Sequence, residues 1–374
     1  MINSLDKINL KEKKVILQLD FEEPFSSYQA TIKRLIEEEA KILVIGTLAG
    51  EVSLVPWVEE LGQITGRPVD FLAHSIFEKS LPDQVERSFS QNQVVLLENL
   101  AIYPEERQGE PVLAQALSRL GQVYINEAFG LTYLSYASIN HLPNLLESAG
   151  GVGLIKEYEA GIHLSKRPLT AIIGGDKIFE SLELVLAFLE KGDHVLISGK
   201  MAEAIFRVKG ISPGKDWPEE ESVKLINRLD ITDTKLHLPV DVVTGPKGLD
   251  DSYRRVFAPG EVRKEDDIYD IGPETIRLFS EIIAQSPALV WRGPLGLYTW
   301  PEFSRGTKEI AEVIANQPDI FSVVGGQETV AFLKKIGLLN EFSHISTGGE
   351  SIMRLAAGCD LPGLKALSIS KLIN

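Results

Sequence analysis

Apolar residues recur along this chain in two alternating rhythms: short continuous runs, and longer stretches at helical spacing. Residues 14–19, 41–45, 69–72, 93–97 and 122–126 are runs of strand length. Between them, 28–39, 55–63, 82–88 and 111–120 carry apolar residues at helical spacing. Continuous apolar runs separated by helices predict parallel strands with crossover helices on both faces. The stretch 142–153, rich in Gly, Pro and small residues, interrupts the rhythm, and 157–166 reads as a linking helix.

A second series begins at 171–181 (AIIGGDKIFES), a strand, a tight Gly174-Gly175 turn and a helix start bearing Lys177. Strands are then expected at 194–197, 235–243, 288–291, 321–324 and 344–345. Helices are expected at 201–208, 217–227, 273–284, 307–315 and 328–336. In open α/β sheets the ligand crevice lies at the carboxyl ends of the strands. Those ends carry Gly174-Gly175, Gly199, Gly293-Pro294, Gly325-Gly326 and Gly348-Gly349. Glycines let backbone approach an anion, a helix N-terminus adds partial positive charge, and Lys177 adds a full one. The competing account of each such turn is that Gly-Gly merely turns the chain. Five in one half favour a nucleotide or phosphate crevice.

Composition narrows the partners. The 374 residues suit two domains, and 44% apolar with 24% charged residues is ordinary for a globular protein. A net charge of −15 disfavours nucleic acid and anionic membrane surfaces. Cys359 is the only cysteine, which excludes an intrachain disulfide. The start MINSLDKINLKEKK lacks a signal-peptide pattern, and no apolar run is long enough to span a bilayer, so a cytoplasmic protein is expected. The scattered histidines form no zinc motif.

The ordered motifs resemble the phosphoglycerate kinase family across essentially the whole chain. They are QLDFEEP (18–24), LLENLAIYP (96–104), NEAFGLTYLSYAS (126–138), IIGGDK (172–177) and LPVDVV (238–243) in the first part. DIGPET (270–275), VWRGPLGLY (290–298), VVGGQET (323–329) and HISTGG (344–349) follow. The resemblance implies an α/β protein of two doubly wound, parallel-sheet, Rossmann-like domains joined by a hinge. It divides the chain at 1–156 and 157–354, with about 355–374 folding back onto the first domain. It also implies a phosphoglycerate site on the first domain, ATP or ADP with Mg²⁺ on the second, and domain closure between them. A monomer is expected.

Carried over by motif, Lys177 takes the catalytic position. The nucleotide positions are Gly174, Gly175, Gly199, Lys200, Arg292, Pro294, Gly296, Leu297, Gly325, Gly326 and Thr329. Thr347, Gly348 and Gly349 face phosphate, Asp20 the acid substrate, and Glu328 the metal. Departures cluster on the first domain. Glu22 stands for the family's Asn, and the loop after it, PFSSYQA, has no arginine. The family's SHLGRP reads 46–51 GTLAGE, Ala101 replaces an arginine, and Tyr133, Leu134 and Tyr136 replace basic residues. Each charge-assisted contact to a phosphate or carboxylate is worth about 1.5–3 kcal/mol, so their combined loss disfavours 3-phosphoglycerate.

In the second domain, Ser181 replaces a lysine, Glu328 an aspartate, and Thr299 a ribose-binding Glu. Lys200, Gln327 and Glu350 replace glycines, and Arg292 an asparagine. Lys200 and Arg292 are either replacement cations for phosphate or fillers of an empty crevice. Asp20 is either a ligand-binding acid or a cap, and Trp291, Tyr298 and Trp300 read as core or crevice wall. Three functions follow: a non-canonical paralogue with at most a residual nucleotide crevice, a phosphotransferase on a less anionic acceptor, or an active phosphoglycerate kinase with a rearranged site.

Overall fold

Six short runs of the first half, β1 (Lys14–Asp20), β2 (Lys41–Thr47), β3 (Val69–Leu72), β4 (Val94–Leu97), β5 (Val123–Asn126) and β6 (Glu147–Gly150), pair in parallel. Their order is β3-β4-β2-β1-β5-β6, so the chain winds outward from β1 and then to its other side. The structure, a computed structural model, describes residues 2–212, 217–246 and 254–369. Leu17 and Leu19 of β1 bury against Phe25, Ile32 and Leu35 from the segment that follows, forming one core.

Two compact units divide the chain. The first comprises Met1–Glu159 and Asp360–Asn374, the second Ala160–Cys359. Within the first unit the helix Pro362–Ile369 is tied back by Gly363 N donating to Thr132 O at 3.0 Å. Residues 370–374 of the expected C-terminal return lie outside the described residues.

The second unit holds another parallel sheet, of β7 (Leu169–Ile173), β8 (His194–Ile197), β9 (Leu236–His237), β13 (Ala288–Arg292), β14 (Phe321–Gly325) and β15 (His344–Ser346). Its order is β15-β14-β13-β7-β8-β9, again doubly wound as expected. Trp291, fully buried, anchors its core with Phe279, Ile310 and Leu333.

Three departures from the expected elements have local causes. The run 235–243 is not one strand. Pro239 cannot donate to a ladder, and the chain leaves the parallel sheet after His237. It re-enters structure as β10 (Val242–Pro246), in a separate antiparallel sheet with β11 (Arg255–Phe257) and β12 (Asp266–Ile271). Asp241, between the pieces, caps the helix Pro273–Ile283 by accepting from Glu274 N at 3.1 Å and Thr275 N at 2.7 Å. Asp241→Ala is expected to cost about 1–2 kcal/mol, the ordinary worth of such a cap; chemical denaturation of the second unit's transition measures it.

The linking helix runs Val152–His163 and starts five residues earlier than expected. Its cap is remote in sequence: Glu127 accepts from Gly153 N at 3.1 Å and Leu154 N at 2.9 Å, and Thr31 Oγ1 accepts from Val152 N at 2.7 Å. The third departure is a helix that begins at Glu220, not 217, and leaves Trp217 exposed ahead of it. No helix among the described residues is long and apolar enough to cross a membrane.

Candidate functional site

In the second unit, β15, β14, β13, β7 and β8 are consecutive neighbours, so their glycine turns stand side by side along one carboxyl edge. Gly174 N donates to Arg292 O and Gly175 N to Pro294 O, both at 2.9 Å, and Lys200 N donates to Gly175 O at 3.0 Å. The turns interlock through their backbones. A Cβ on Gly174 would lie 2.3 Å from Pro294 O, and one on Gly293 2.2 Å from Gly174 O. At these positions packing between turns itself requires glycine, in keeping with the competing account of these turns left open by the sequence. Gly296 is likewise small because the Asp270 carboxylate lies against it. Gly175 and Gly326, both at positive φ, meet nothing closer than 3.6 and 3.4 Å, so their backbones remain approachable.

Four helices begin at this edge, Ile178–Lys191, Gly199–Val208, Gln327–Lys335 and Gly349–Ala356, and none has a side-chain cap. Their first N–H groups favour an anion. Beside them, Ser198 Oγ, Thr329 Oγ1 and Ser346 Oγ are buried without hydrogen-bond partners among the described residues. Unpartnered buried hydroxyls are costly and suit a polar ligand. Next to the Gly199 turn opens a concave space of about 460 Å³, lined by Gly199, Lys200, Pro239, Tyr269, Leu295 and Leu297 among others. It is mostly apolar and open to solvent, and the enclosed part is only about 80 Å³.

The charged residues of this edge differ in freedom. Lys177, at the cap position of the helix Ile178–Lys191, is exposed and makes no ion pair among the described residues. Lys200 Nζ is 2.9 Å from Glu203 Oε2. Arg292 Nη1 lies 2.8 Å from Glu350 Oε2, an ion pair largely shielded from water. Glu350 Oε1 also accepts from Arg354 Nε at 2.8 Å, and Arg354 Nη2 reaches Glu183 Oε2 at 3.0 Å. Arg292 is therefore neutralised within the crevice rather than free. Glu328 is exposed and hydrogen-bonds the Tyr298 hydroxyl, whose pKa burial and then Glu328 raise. Among the described residues no cluster of three His, Cys, Asp or Glu side chains forms a metal cage. A single carboxylate together with nucleotide phosphates is nonetheless a normal way to hold Mg²⁺, and Glu328 fits that role.

Sequence reasoning missed one wall of the pocket. Pro239, Val242 and Ile268–Ile271 belong to it. The motifs LPVDVV and DIGPET contain most of these residues and were the available signal. Asp270, on this wall, is buried and its carboxyl is pushed up to about 7 by burial, opposed by backbone donors Gly306 N and Ile271 N. Trp291 belongs to the core, donating from Nε1 to Gly293 O at 2.8 Å.

The carboxyl edge of the first unit has the opposite character. Asp20, buried at the end of β1, accepts from Glu22 N at 3.0 Å, and its carboxyl is raised to about 6 by burial and the Glu22 charge. Glu23 is raised to about 7 by burial and by Asp20, Glu157 and Glu22. Tyr136 is raised by burial and Glu106, with Arg107 opposing and Glu22 and Asp20 adding. Ala101 is buried, and Tyr133 and Leu134 are partly so. Aromatic and aliphatic side chains occupy motif positions at which the resemblance implies cations, and carboxylates lie close by.

Two doubly wound units, each with a six-stranded parallel sheet, define a two-domain α/β protein. The sequence profile described as phosphoglycerate kinase matches residues 5–359. The phosphoglycerate kinase of Thermomicrobium roseum is 31% identical over 385 residues, covering 96% of this chain and 97% of that protein. That of Pelotomaculum thermopropionicum is 32% identical over 385 residues, with coverage of 96% and 97%. The solved structure of the phosphoglycerate kinase from Coxiella burnetii matches with a TM-score of 0.80 at 25% identity, covering 99% of this chain and 100% of that one. The chain belongs to the phosphoglycerate kinase family.

Proposed function

We propose that this family member is a non-canonical paralogue that binds a nucleotide in its second unit and does not turn over 3-phosphoglycerate. The observation that carries this is the acidic edge of the first unit, where Asp20, Glu22 and Glu23 lie together and repel one another's charge. A ligand bearing a phosphate and a carboxylate needs charge-assisted, preferably bidentate donors there. In a reaction whose catalysis is positioning plus neutralisation of phosphoryl charge, losing those donors removes both contributions.

The second unit supports the nucleotide half of the proposal. Its mostly apolar pocket suits the apolar face of a base, its turns and helix starts suit phosphates, and Lys177 is an exposed cation at that edge with no ion pair among the described residues. When bound, Mg²⁺ would supply charge neutralisation of the phosphates, with Glu328 as its protein ligand. Calorimetric titration with Mg·ADP and, separately, 3-phosphoglycerate tests the proposal. Heat from Mg·ADP and none from millimolar 3-phosphoglycerate is expected. Saturable binding of 3-phosphoglycerate would return the chain to the working kinases of its family, and silence from every adenine compound would refute the nucleotide crevice.

A further inference from the structure

The pairing of Arg292 with Glu350 gives the crevice a property of its own. Arg292 ends β13, and the stem of its side chain packs over the Gly326 turn, where a Cβ would lie 3.4 Å from Arg292 Cγ. Glu350 sits in the first turn of the helix Gly349–Ala356, at the carboxyl end of β15. Its carboxylate thus meets a guanidinium at a helix start, which is the environment a phosphate seeks. The unpartnered buried hydroxyls of Thr329 and Ser346 stand on the same two turns. Arg354 holds the other carboxylate oxygen and is itself held by Glu183, so Glu350 is seated from both sides.

We propose that Glu350 is a tethered anion that occupies the place of a nucleotide phosphate on Arg292, so that the crevice binds a nucleoside or nucleoside monophosphate as tightly as a di- or triphosphate. This rests on, and deepens, the assignment of a nucleotide crevice to the second unit. The apolar pocket is lined from the β8 turn and from Leu295–Leu297, and neither Arg292 nor Glu350 lines it. Each further phosphate must displace Glu350 from Arg292 or lie beside an unneutralised carboxylate. Added phosphates therefore bring no gain in affinity.

Titrating adenosine, AMP, Mg·ADP and Mg·ATP into wild-type protein and Glu350→Gln distinguishes the outcomes. In wild type, affinity is expected to stay within about threefold along the series. Glu350→Gln keeps an acceptor for Arg354 and frees Arg292, so Mg·ADP and Mg·ATP should tighten about 10- to 100-fold while adenosine is unchanged. Glu350→Gly, at a helix start that already opens with glycine, is the second variant should the first not fold. A steep rise from adenosine to Mg·ATP in wild type, or no tightening in either variant, overturns the tethered anion and leaves the nucleotide crevice intact. Failure of all four compounds to bind any of the proteins overturns both.

Discussion

Urea titrations between pH 8 and pH 5 will show this protein gaining stability as it is acidified. The cause is a set of carboxyls whose folded pKa lies above its unfolded value. Burial raises Glu106 and Asp270 to about 7 and Asp20 to about 6, and raises Glu127 as well. Unfolded, these groups titrate near 3.8–4.5. Between about pH 4 and 7 the folded state therefore holds more protons than the unfolded one. Stability from these groups is fully present below the unfolded values and is lost as pH rises through 6–7.

Each undiminished shift corresponds to on the order of 3 kcal/mol, and relaxation reduces it, so a gain of a few kcal/mol is the expected scale. Glu23 moves in the same direction, but its greater exposure screens it and adds little. Relief of repulsion in a chain of net charge −15 acts in the same sense. Glu106→Gln separates the two causes. Ser138, whose N and Oγ both donate to Glu106, can keep most of its bonding to the amide. The variant should be more stable than wild type at pH 8 and show a shallower pH slope in the first unit's transition. An unchanged slope would assign the effect to net charge alone.

The second large effect is expected from Gly293→Ala. Gly293 has φ of +85° and its added Cβ would sit 2.2 Å from Gly174 O and 2.3 Å from Gly174 C. The obstacle is backbone, held in place by the bonds from Gly174 and Gly175 to the β13 turn, so it cannot swing aside as a flexible side chain would. Backbone strain and overpacking together should cost about 3–5 kcal/mol. Gly175→Ala is the matched control. It carries the same φ of +85°, yet its nearest neighbour is 3.6 Å away, so only about 1–2 kcal/mol of backbone cost is expected. Denaturation midpoints of the second unit measure both, and equal losses in the two variants would dismiss the interlocked turns as the cause.

Much of this fold was legible in the chain because its strands are short apolar runs with helices between them. β7, fully buried, and β1, buried from Val15 on, carry the pattern of a parallel strand residue by residue. Illegible elements owe their form to partners far along the chain. The helix Val152–His163 begins where Glu127 and Thr31 cap it. β6, Glu147–Gly150, is a strand of small and polar residues whose burial comes from its neighbours, not from its own composition. The antiparallel sheet was hidden because β10 continues, in sequence, a run whose first part belongs elsewhere.

The site divides in the same way. Glycine turns, Lys177 and the departures from the family motifs in the first unit are local features of the sequence. Whether Arg292 and Lys200 serve as spare cations is not local, because the answer lies with Glu350 and Glu203. For Arg292 that partner is on another turn, and only the folded edge brings the two together. The pocket wall at Ile268–Ile271 is supplied by β12 and was reachable only through its family motif.

The interlocking of the turns bears on how such a chain changes over generations. A glycine pressed against a neighbour's carbonyl is retained by any lineage that still needs the domain to fold. Charged side chains standing above those turns carry no such obligation and are free to be exchanged. Descendants that abandon the ancestral chemistry will keep its glycine signature, which makes that signature a record of shared architecture and the side chains around it the record of use.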